Sequence, residues 1–248
     1  MEEFNYKRVA KEIGWCFDHV NYTMEQTVDF DYYEEVKSHI TPETVMADIG
    51  CGSAEKACKN YGEAKQVLLI DNEEEMILKA NQNIQKYCGK NAKKFKTICE
   101  DGSNKPKIAP NSLDLLVSRH CGVKTKVIYN SLKFGGYFIS QDIDKEDCWE
   151  LKKLFNRGQS FNKKQSVKQK TMKEILSYNF TKVEILNFEQ IEYYKTVDDF
   201  VYLLERTPIL NYFDREKDLE KLQEYVNKNS TPKGIKLLRK LYAIKILK

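Results

Sequence analysis

The sequence predicts an α/β fold, a doubly wound and mostly parallel sheet with helices on both of its faces. Short apolar runs alternate with helical patterns from residue 45 onward, which is typical of parallel strands joined by helical crossovers. The first run, Val45–Ile49, breaks into a loop with glycine at positions 50 and 52, and the second run leads into an acid, Asp71. A glycine-containing turn after one strand and an acid after the next are typical of the ligand-binding edge of such sheets.

Seven segments have the length and composition of strands: residues 45–49, 66–70, 95–99, 113–118, 136–140, 180–194 and 241–247. Helical patterns lie between the first five of them, at residues 55–61, 73–87 and 124–132. The clearest is 73–87, where Met76, Ala80 and Ile84 recur at helical spacing and indicate a side that faces the core.

The segments at either end of this pattern predict additions to the sheet. Residues 5–40 predict two amphipathic helices around a loop near residues 22–29, and further helices are predicted at 144–157, 166–178, 197–205 and 216–227. The alternation within 180–194 slips at Phe188, which indicates a β-bulge. We therefore predict one domain over residues 1–248, divided into a helical cap (1–43), a core (44–194), a helical lid (195–235) and a closing strand (236–248).

Composition places the chain among ordinary globular proteins. Hydrophobic residues make up 41% and charged residues 31%, no run approaches the ~18 apolar residues of a membrane helix, and the first residues include acids that argue against a signal peptide. The seven cysteines form an odd set with no Cys-x-x-Cys pair. This pattern predicts reduced thiols in a cytoplasmic protein, with neither a disulfide framework nor a metal site. A net charge of +4 permits an anionic partner without requiring one.

The glycine loop itself discriminates between ligands. Its register is Asp48-x-Gly50-x-Gly52-x-Ala54, with an acid two residues before the first glycine. A dinucleotide site places pyrophosphate at this turn, where a carboxylate would repel it. The acid suits a ligand with an amine or another cationic group. Alanine in the third position is expected to add one methyl where close packing, rather than a positive φ, is needed.

Five landmarks in order make residues 44–142 resemble the class I S-adenosylmethionine-dependent methyltransferases. They are the glycine loop, Asp71 followed by Met76 and Ala80, the acidic segment 100–102, the strand 112–118, and the segment 132–139 with Phe134 in place of proline. The resemblance implies a Rossmann-like fold, a seven-stranded and mostly parallel sheet with an antiparallel C-terminal strand. It also implies methyl transfer with S-adenosyl-L-methionine as the cofactor.

The same resemblance assigns eleven residues to the cofactor. Its methionine end would lie near Asp48, Gly50, Cys51, Gly52, Ser118 and Arg119, its ribose at Asp71, and its adenine near Asn72, Met76, Asp101 and Gly102. Four of these positions also have a purely structural interpretation. Asp71 is suited to capping the following helix, Met76 to the core, Asp101 to a turn with Gly102, and Cys51 to filling the loop.

The methyl acceptor is less constrained by the sequence. Displacement at a sulfonium needs alignment and does not require a base; His120 and Asp142 are the candidates for one at the expected mouth of the site. His120 could equally be a structural histidine. Three tyrosines could shape an acceptor pocket: Tyr22, Tyr193 and Tyr194.

Three functional hypotheses remain open at this stage. The first is a small-molecule O- or N-methyltransferase with residues 195–235 as its lid. The second is an RNA methyltransferase that uses residues 151–171, which hold seven basic residues and no acid. Residues 118–121 lack the Asn/Asp-Pro-Pro-aromatic motif that serves methylation of exocyclic base amines, which disfavours that subclass. The third is a cofactor-binding protein without catalysis. The sequence leaves the oligomeric state open.

Overall fold

The computed structural model describes residues 6–13 and 17–248. Its strands are β1 (Tyr22–Gln26), β2 (Val45–Ile49), β3 (Gln66–Asp71), β4 (Phe95–Cys99), β5 (Leu113–Arg119), β6 (Leu132–Ile143), β7 (Lys182–Tyr194), β8 (Ser230–Thr231) and β9 (Gly234–Leu247). Its α-helices are α1 (Tyr6–Ile13), α2 (Tyr32–Lys37), α3 (Glu55–Asn60), α4 (Glu74–Tyr87), α5 (Thr125–Ser131), α6 (Trp149–Phe155), α7 (Val167–Ile175), α8 (Val197–Arg206) and α9 (Leu219–Asn229), and a 3₁₀-helix spans Gly89–Lys94.

The strands form one mixed sheet in the order β1-β7-β9-β6-β5-β2-β3-β4, with β8 paired to β9. Strands β6, β5, β2, β3 and β4 are parallel to one another, and β9 runs antiparallel to both β6 and β7. Strand β2 is central and buried along almost its whole length, as a strand covered by helices on both faces must be. The doubly wound, Rossmann-like class predicted from the sequence is confirmed.

Different cores cover the two faces of the parallel part of the sheet. On one face Met46, Leu69 and Ala80 pack with side chains of α2 and α3. On the other face Ala47 and Leu116 pack with side chains of α5 and α7. Within the described residues, no helix combines the length and apolar character that crossing a bilayer requires.

Over residues 6–13 and 17–248 the sheet holds nine strands, where the sequence predicted seven. Strand β8 adds a short turn onto β9, and β1 forms within the segment predicted as a loop near residues 22–29. The residues of β1 are almost all exposed, so the sequence has no apolar alternation there from which a strand could be predicted. It forms because β7 presents a free edge, with which it pairs from Tyr22↔Tyr194 to Gln26↔Gln190.

The bulge predicted at Phe188 is wrong. Strands β7 and β9 pair without a register shift from Lys182↔Leu247 to Tyr194↔Ile235. The alternation slips because a different face of β7 is covered along its length. Val183 packs toward the core of α5 and α7, whereas Phe188 packs on the opposite face with Leu241.

Strands β7 and β9 continue beyond the parallel part of the sheet. Leu241 of β9 pairs with Ile143, the last residue of β6, so residues 235–240 extend past the carboxyl end of β6. At the usual rise of a strand this extension is about 20 Å long. Helices α8 and α9 pack on it through Tyr194, Ile235 and Leu237. The division of the chain into cap, core, lid and closing strand stays a prediction.

Candidate functional site

The candidate site lies at the carboxyl edge of the parallel strands. Because β3, β2, β5 and β6 are neighbours in the sheet, the segments that follow them meet there. These segments carry the glycine loop, Asp71, Arg119 and Asp142. Residues from four distant parts of the sequence therefore face one edge, where parallel α/β sheets bind their ligands.

The glycine loop is held close against the neighbouring strands. Gly50 has a φ of +75° and donates its N–H to the Ile70 carbonyl over 2.8 Å. A Cβ at Gly50 would lie 2.6 Å from the Cys121 Cβ, so a side chain cannot fit without displacing the segment after β5. Gly52 has a φ of +55° and an open surrounding. Ala54 also has a left-handed backbone (φ +56°), which corrects the expectation that the third position does not need a positive φ.

Asp71 joins the loop to helix α4. One carboxylate oxygen, Oδ2, accepts the Gly52 N–H over 2.9 Å, and the other, Oδ1, accepts the Glu73 N–H over 3.0 Å. Burial raises the pKa of Asp71, and the backbone donors oppose that rise. The expectation that Asp71 caps α4 is wrong: Glu73 is the residue before the helix and no side chain caps it, so the bond from the Glu73 N–H to Asp71 belongs to the turn that precedes the helix.

Asp48 is a buried acid immediately behind the loop, with an exposed fraction of 9%. Burial first and the nearby Asp71 second raise its pKa to about 7, while the Tyr61 hydroxyl and the Arg119 guanidinium act in the opposite direction. The Tyr32 hydroxyl is buried in the same region and has no hydrogen-bond partner within the described part of the chain. This region therefore combines an acid that titrates near neutrality with an unsatisfied polar atom.

The segment after β4 closes the opposite side of the site. Asp101 is exposed, and its Oδ1 accepts the Ser103 N–H over 3.1 Å and the Ser103 hydroxyl over 2.5 Å. A Cβ at Gly102 would lie 2.8 Å from the Ile70 Cγ2, so glycine lets this turn approach the ends of β2 and β3. Asp101 therefore forms the turn that its structural interpretation expected, and its carboxylate is also accessible to a ligand.

The remaining predicted cofactor residues differ in accessibility. Asn72 is exposed beside Asp71, and Cys51 is partly exposed within the loop. Met76 is only 1% exposed, which favours the core interpretation and leaves almost no surface for an adenine contact. Ser118 is fully buried and donates its hydroxyl to the Cys121 carbonyl, so that hydroxyl is engaged within the protein.

Arg119 and His120 stand at the end of β5. The Arg119 guanidinium lies 5.6 Å from the centre of the Tyr33 ring and is exposed. His120 has a φ of +58° and donates its backbone N–H to the Gln141 carbonyl over 2.9 Å. The residue is exposed to solvent, but protein groups lie close around its imidazole. This surrounding protein lowers the pKa of the imidazole most, and the charges of Arg119 and Arg239 lower it further.

Asp142 lies on the neighbouring strand, one residue beyond the Arg119↔Gln141 pair. Burial raises the pKa of Asp142 to about 7, with an opposing hydrogen bond from Ser140. The two candidate bases, His120 and Asp142, are thus brought to adjacent strand ends. No hydrogen bond joins them within the described residues.

Sequence reasoning missed several residues of this site. Tyr32, Tyr33 and Tyr61 surround Asp48 and Arg119, and Arg239 approaches from β9. Fifteen tyrosines in the chain gave no reason to single these out. The acidic Asp31 before Tyr32, which caps α2 by accepting the Tyr33 and Glu34 N–H groups, was the one local signal.

The basic segment 151–171 is partly engaged within the protein. Lys152 is 1% exposed, Arg157 pairs with Asp218, and Lys168 pairs with Asp144. The four remaining basic side chains are exposed: Lys153, Lys163, Lys164 and Lys170. The segment therefore presents fewer free charges than its sequence suggests.

Comparisons with known proteins concern the family and the fold. The model of the methyltransferase domain family matches residues 40–207, and no curated protein matches. Three solved structures are similar over most of both chains. The YcgJ protein of Bacillus subtilis is 17% identical, with coverage of 88% of this chain and 98% of that one and a TM-score of 0.62. A functionally unknown protein of Deinococcus radiodurans R1 is 16% identical (98% and 98%, TM-score 0.58). A putative methyltransferase of Bacillus halodurans C-125 is 14% identical (86% and 96%, TM-score 0.55).

At these identities the solved structures establish the fold alone, whereas the family model covers more than half of the chain and includes the glycine loop, Asp71 and Arg119. The chain therefore belongs to the methyltransferase domain family, and it is an S-adenosylmethionine-dependent methyltransferase.

Proposed function

We propose that the protein transfers the methyl group of S-adenosylmethionine to an oxygen or nitrogen nucleophile of a small molecule. The observation that carries the proposal is the convergence of the glycine loop, Asp71 and Arg119 at one edge, with Asp142 beside them. This arrangement offers separate places for a nucleoside, for a charged amino-acid group and for an acceptor with a transferable proton.

The residues present fit this cofactor. The open surrounding of Gly52 gives room for close approach, and Asp71 offers carboxylate oxygens to ribose hydroxyls. The buried Asp48 suits the amino group of the methionine end. The Arg119 guanidinium makes no ion pair within the described residues and suits the carboxylate of that end. Asn72 and Asp101 are exposed on the side assigned to the adenine.

The chemistry asks little of the protein beyond alignment, exclusion of water and removal of one proton. When bound, the cofactor would supply a methyl group that is electrophilic because its carbon is bonded to a positively charged sulfur. A lone pair of the acceptor attacks this carbon in line, and the sulfur leaves with the electrons of the broken bond. Asp142 is the better candidate for the base, because a carboxylate with a pKa near 7 can accept a proton at neutral pH. His120, whose imidazole pKa is lowered, is a weaker base.

Calorimetric titration with S-adenosylmethionine and with its demethylated product tests the cofactor site. We expect both to bind, and Asp71→Ala to weaken binding at least tenfold because the ribose loses a charged acceptor. Asp198→Ala, a change at an exposed acid on α8, is the matched control and should leave binding unchanged. Absence of binding at millimolar cofactor would contradict the proposal, and unchanged affinity in Asp71→Ala would contradict the ribose assignment.

The RNA hypothesis stays a prediction that a separate measurement decides. Three of the seven basic residues in 151–171 are buried or paired with acids, which weakens the support for a phosphate-binding surface. Affinity for bulk RNA that falls steeply between low and moderate salt would favour RNA as the acceptor. A flat response would leave the small-molecule proposal. A cytoplasmic location likewise stays a prediction from the cysteine pattern.

A further inference from the structure

Strand β1 places an exposed apolar surface above the candidate site. It pairs with residues 190–194 of β7, whose partners in β9 are residues 235–239. This whole part of the sheet lies beyond the carboxyl end of β6. Strand β1, which the sequence did not predict, therefore pairs only with the extension of the sheet. This extension continues past the edge where methyl transfer is proposed.

Two side chains of β1 are exposed on the face that also carries the contacts with α8 and α9. Tyr22 is opposite Tyr194, and Met24 is opposite Glu192. Facing residues in a sheet share a face, so Tyr22 and Met24 lie on the side of Tyr194 and Leu237. The helices cover the β9 part of this face, while Tyr22 stays 42% exposed and Met24 50% exposed.

The Tyr22 ring is fixed from one side. It stacks on the Tyr194 ring with 5.4 Å between ring centres and a tilt of 21°. Tyr194 donates its hydroxyl to Glu192 over 2.6 Å, and Arg239 donates to the other oxygen of Glu192 over 3.1 Å. Tyr194, Glu192 and Arg239 are buried or nearly so, and they support the Tyr22 ring from one side. The other side of the ring is left as a flat platform.

This platform lies within reach of the charges at the carboxyl edge. Burial first and the Glu192 carboxylate second raise the pKa of the Tyr22 phenol, and the Arg119 guanidinium is near enough to oppose that rise. Arg239, which lowers the pKa of His120, acts on Tyr22 in the same way. The same two arginines, Arg119 and Arg239, thus act on both Tyr22 and His120.

We propose that the acceptor is a planar aromatic or heteroaromatic molecule whose ring stacks on Tyr22 and packs against Met24, with its hydroxyl or amine turned toward the carboxyl edge. The inference rests on the proposed function and names the substrate class. The phenol ring of Tyr22, the thioether of Met24 and the guanidinium of Arg119 all favour contact with an aromatic ligand. A saturated ring of the same size gains from the buried area but from none of these ring interactions.

The test uses the protein loaded with the demethylated cofactor and two matched probes, 2-naphthol and decahydro-2-naphthol. Their binding is followed by saturation-transfer NMR and titration. We expect 2-naphthol to bind about tenfold more tightly than the saturated probe, the difference that a lost aromatic contact produces. Tyr22→Leu should remove this preference, whereas Tyr22→Phe should keep it. Tyr87→Leu, at an exposed tyrosine at the end of α4, is the control and should have no effect.

Each outcome separates this inference from the proposed function. If the cofactor binds but the two probes bind equally, or if the preference survives in Tyr22→Leu, the aromatic acceptor is wrong and the methyltransferase site stands. If the cofactor itself does not bind, the proposed function fails first. Should Tyr22→Leu fail to fold, Met24→Ala replaces it, since Met24 is exposed, and it should weaken 2-naphthol binding about threefold.

Discussion

Asp48 gives the cofactor site a dependence on pH at the scale of a single residue. Its pKa is raised to about 7, chiefly by burial, so below that pH the carboxyl is neutral and attracts a cationic amine weakly. We expect the affinity for the demethylated cofactor to rise by up to tenfold per pH unit from pH 6 to 7 and to level off above pH 8. Calorimetry in buffers of different ionisation enthalpy measures both the affinity and the proton released.

Asp48→Asn should make this profile flat, because the amide does not titrate. Asp142 also titrates near pH 7, so Asp142→Asn is the necessary control and should leave the pH dependence of cofactor affinity intact. A flat profile in the unaltered protein would contradict the assignment of Asp48 to the amino group.

The same acid should lower the stability of the protein. The folded-state pKa of Asp48 lies above the unfolded value of about 3.9, so the folded state binds more protons between these two values. The free energy of unfolding should therefore fall as the pH rises from about 4 to 7. Asp48→Asn should increase the free energy of unfolding at pH 8 by on the order of 3 kcal/mol. Urea denaturation at pH 5 and pH 8 measures it, and an equal or lower stability of the variant at pH 8 would contradict this account.

At the scale of the element, the glycine loop offers a matched pair of substitutions. Gly50 and Gly52 both have positive φ, but only at Gly50 would a Cβ meet another atom closely, the Cys121 Cβ at 2.6 Å. Gly52→Ala should cost about 1 kcal/mol, the strain of a left-handed alanine. Ala54, at a φ of +56°, shows that the loop tolerates such strain.

Gly50→Ala should cost about 3 kcal/mol or more, because it adds overpacking to the same strain. The melting temperature and the free energy of unfolding of the two variants, measured side by side, decide the matter. Similar losses in both variants would show that the approach of Cys121 to Gly50 does not constrain the loop.

The elements also show how far a sequence can be interpreted. Strands β2 to β5 are apolar runs between helices of clear periodicity, and they were predicted to within one or two residues. Strand β1 has no such signature, because its pairing depends on an edge supplied by β7, more than 160 residues away in the chain. The glycine loop and Asp71 predict the edge of the sheet at which we propose that the cofactor binds. The tyrosines around Asp48 reach it only through tertiary packing, for which no local pattern exists.

At the scale of the whole molecule, one buried charge cluster ties the extension of the sheet to the segment that follows β6. Arg239 of β9 donates to Asp147 over 3.0 Å and to Glu192 of β7 over 3.1 Å, and all three side chains are at most 12% exposed. Asp147 also accepts the Lys240 N–H over 2.9 Å and lies just before α6. The cluster therefore fixes the strands that carry Tyr22 relative to the edge that carries Asp142.

Removing the cation of this cluster should be far more damaging than removing a surface partner. Arg239→Leu leaves two carboxylates buried without their counter-charge, which should reduce the free energy of unfolding by about 3–5 kcal/mol. The comparison is Lys65→Ala, which breaks the exposed pair with Glu43 and should produce no measurable change. The triple change of Arg239→Leu with Asp147→Asn and Glu192→Gln should recover part of the loss, because the uncompensated charges are removed as well. Equilibrium denaturation of the unaltered protein and the three variants measures these free energies of unfolding. If Arg239→Leu loses less than about 1 kcal/mol, or if the triple variant recovers nothing, the apolar packing of α8 and α9 holds the extension rather than these charges.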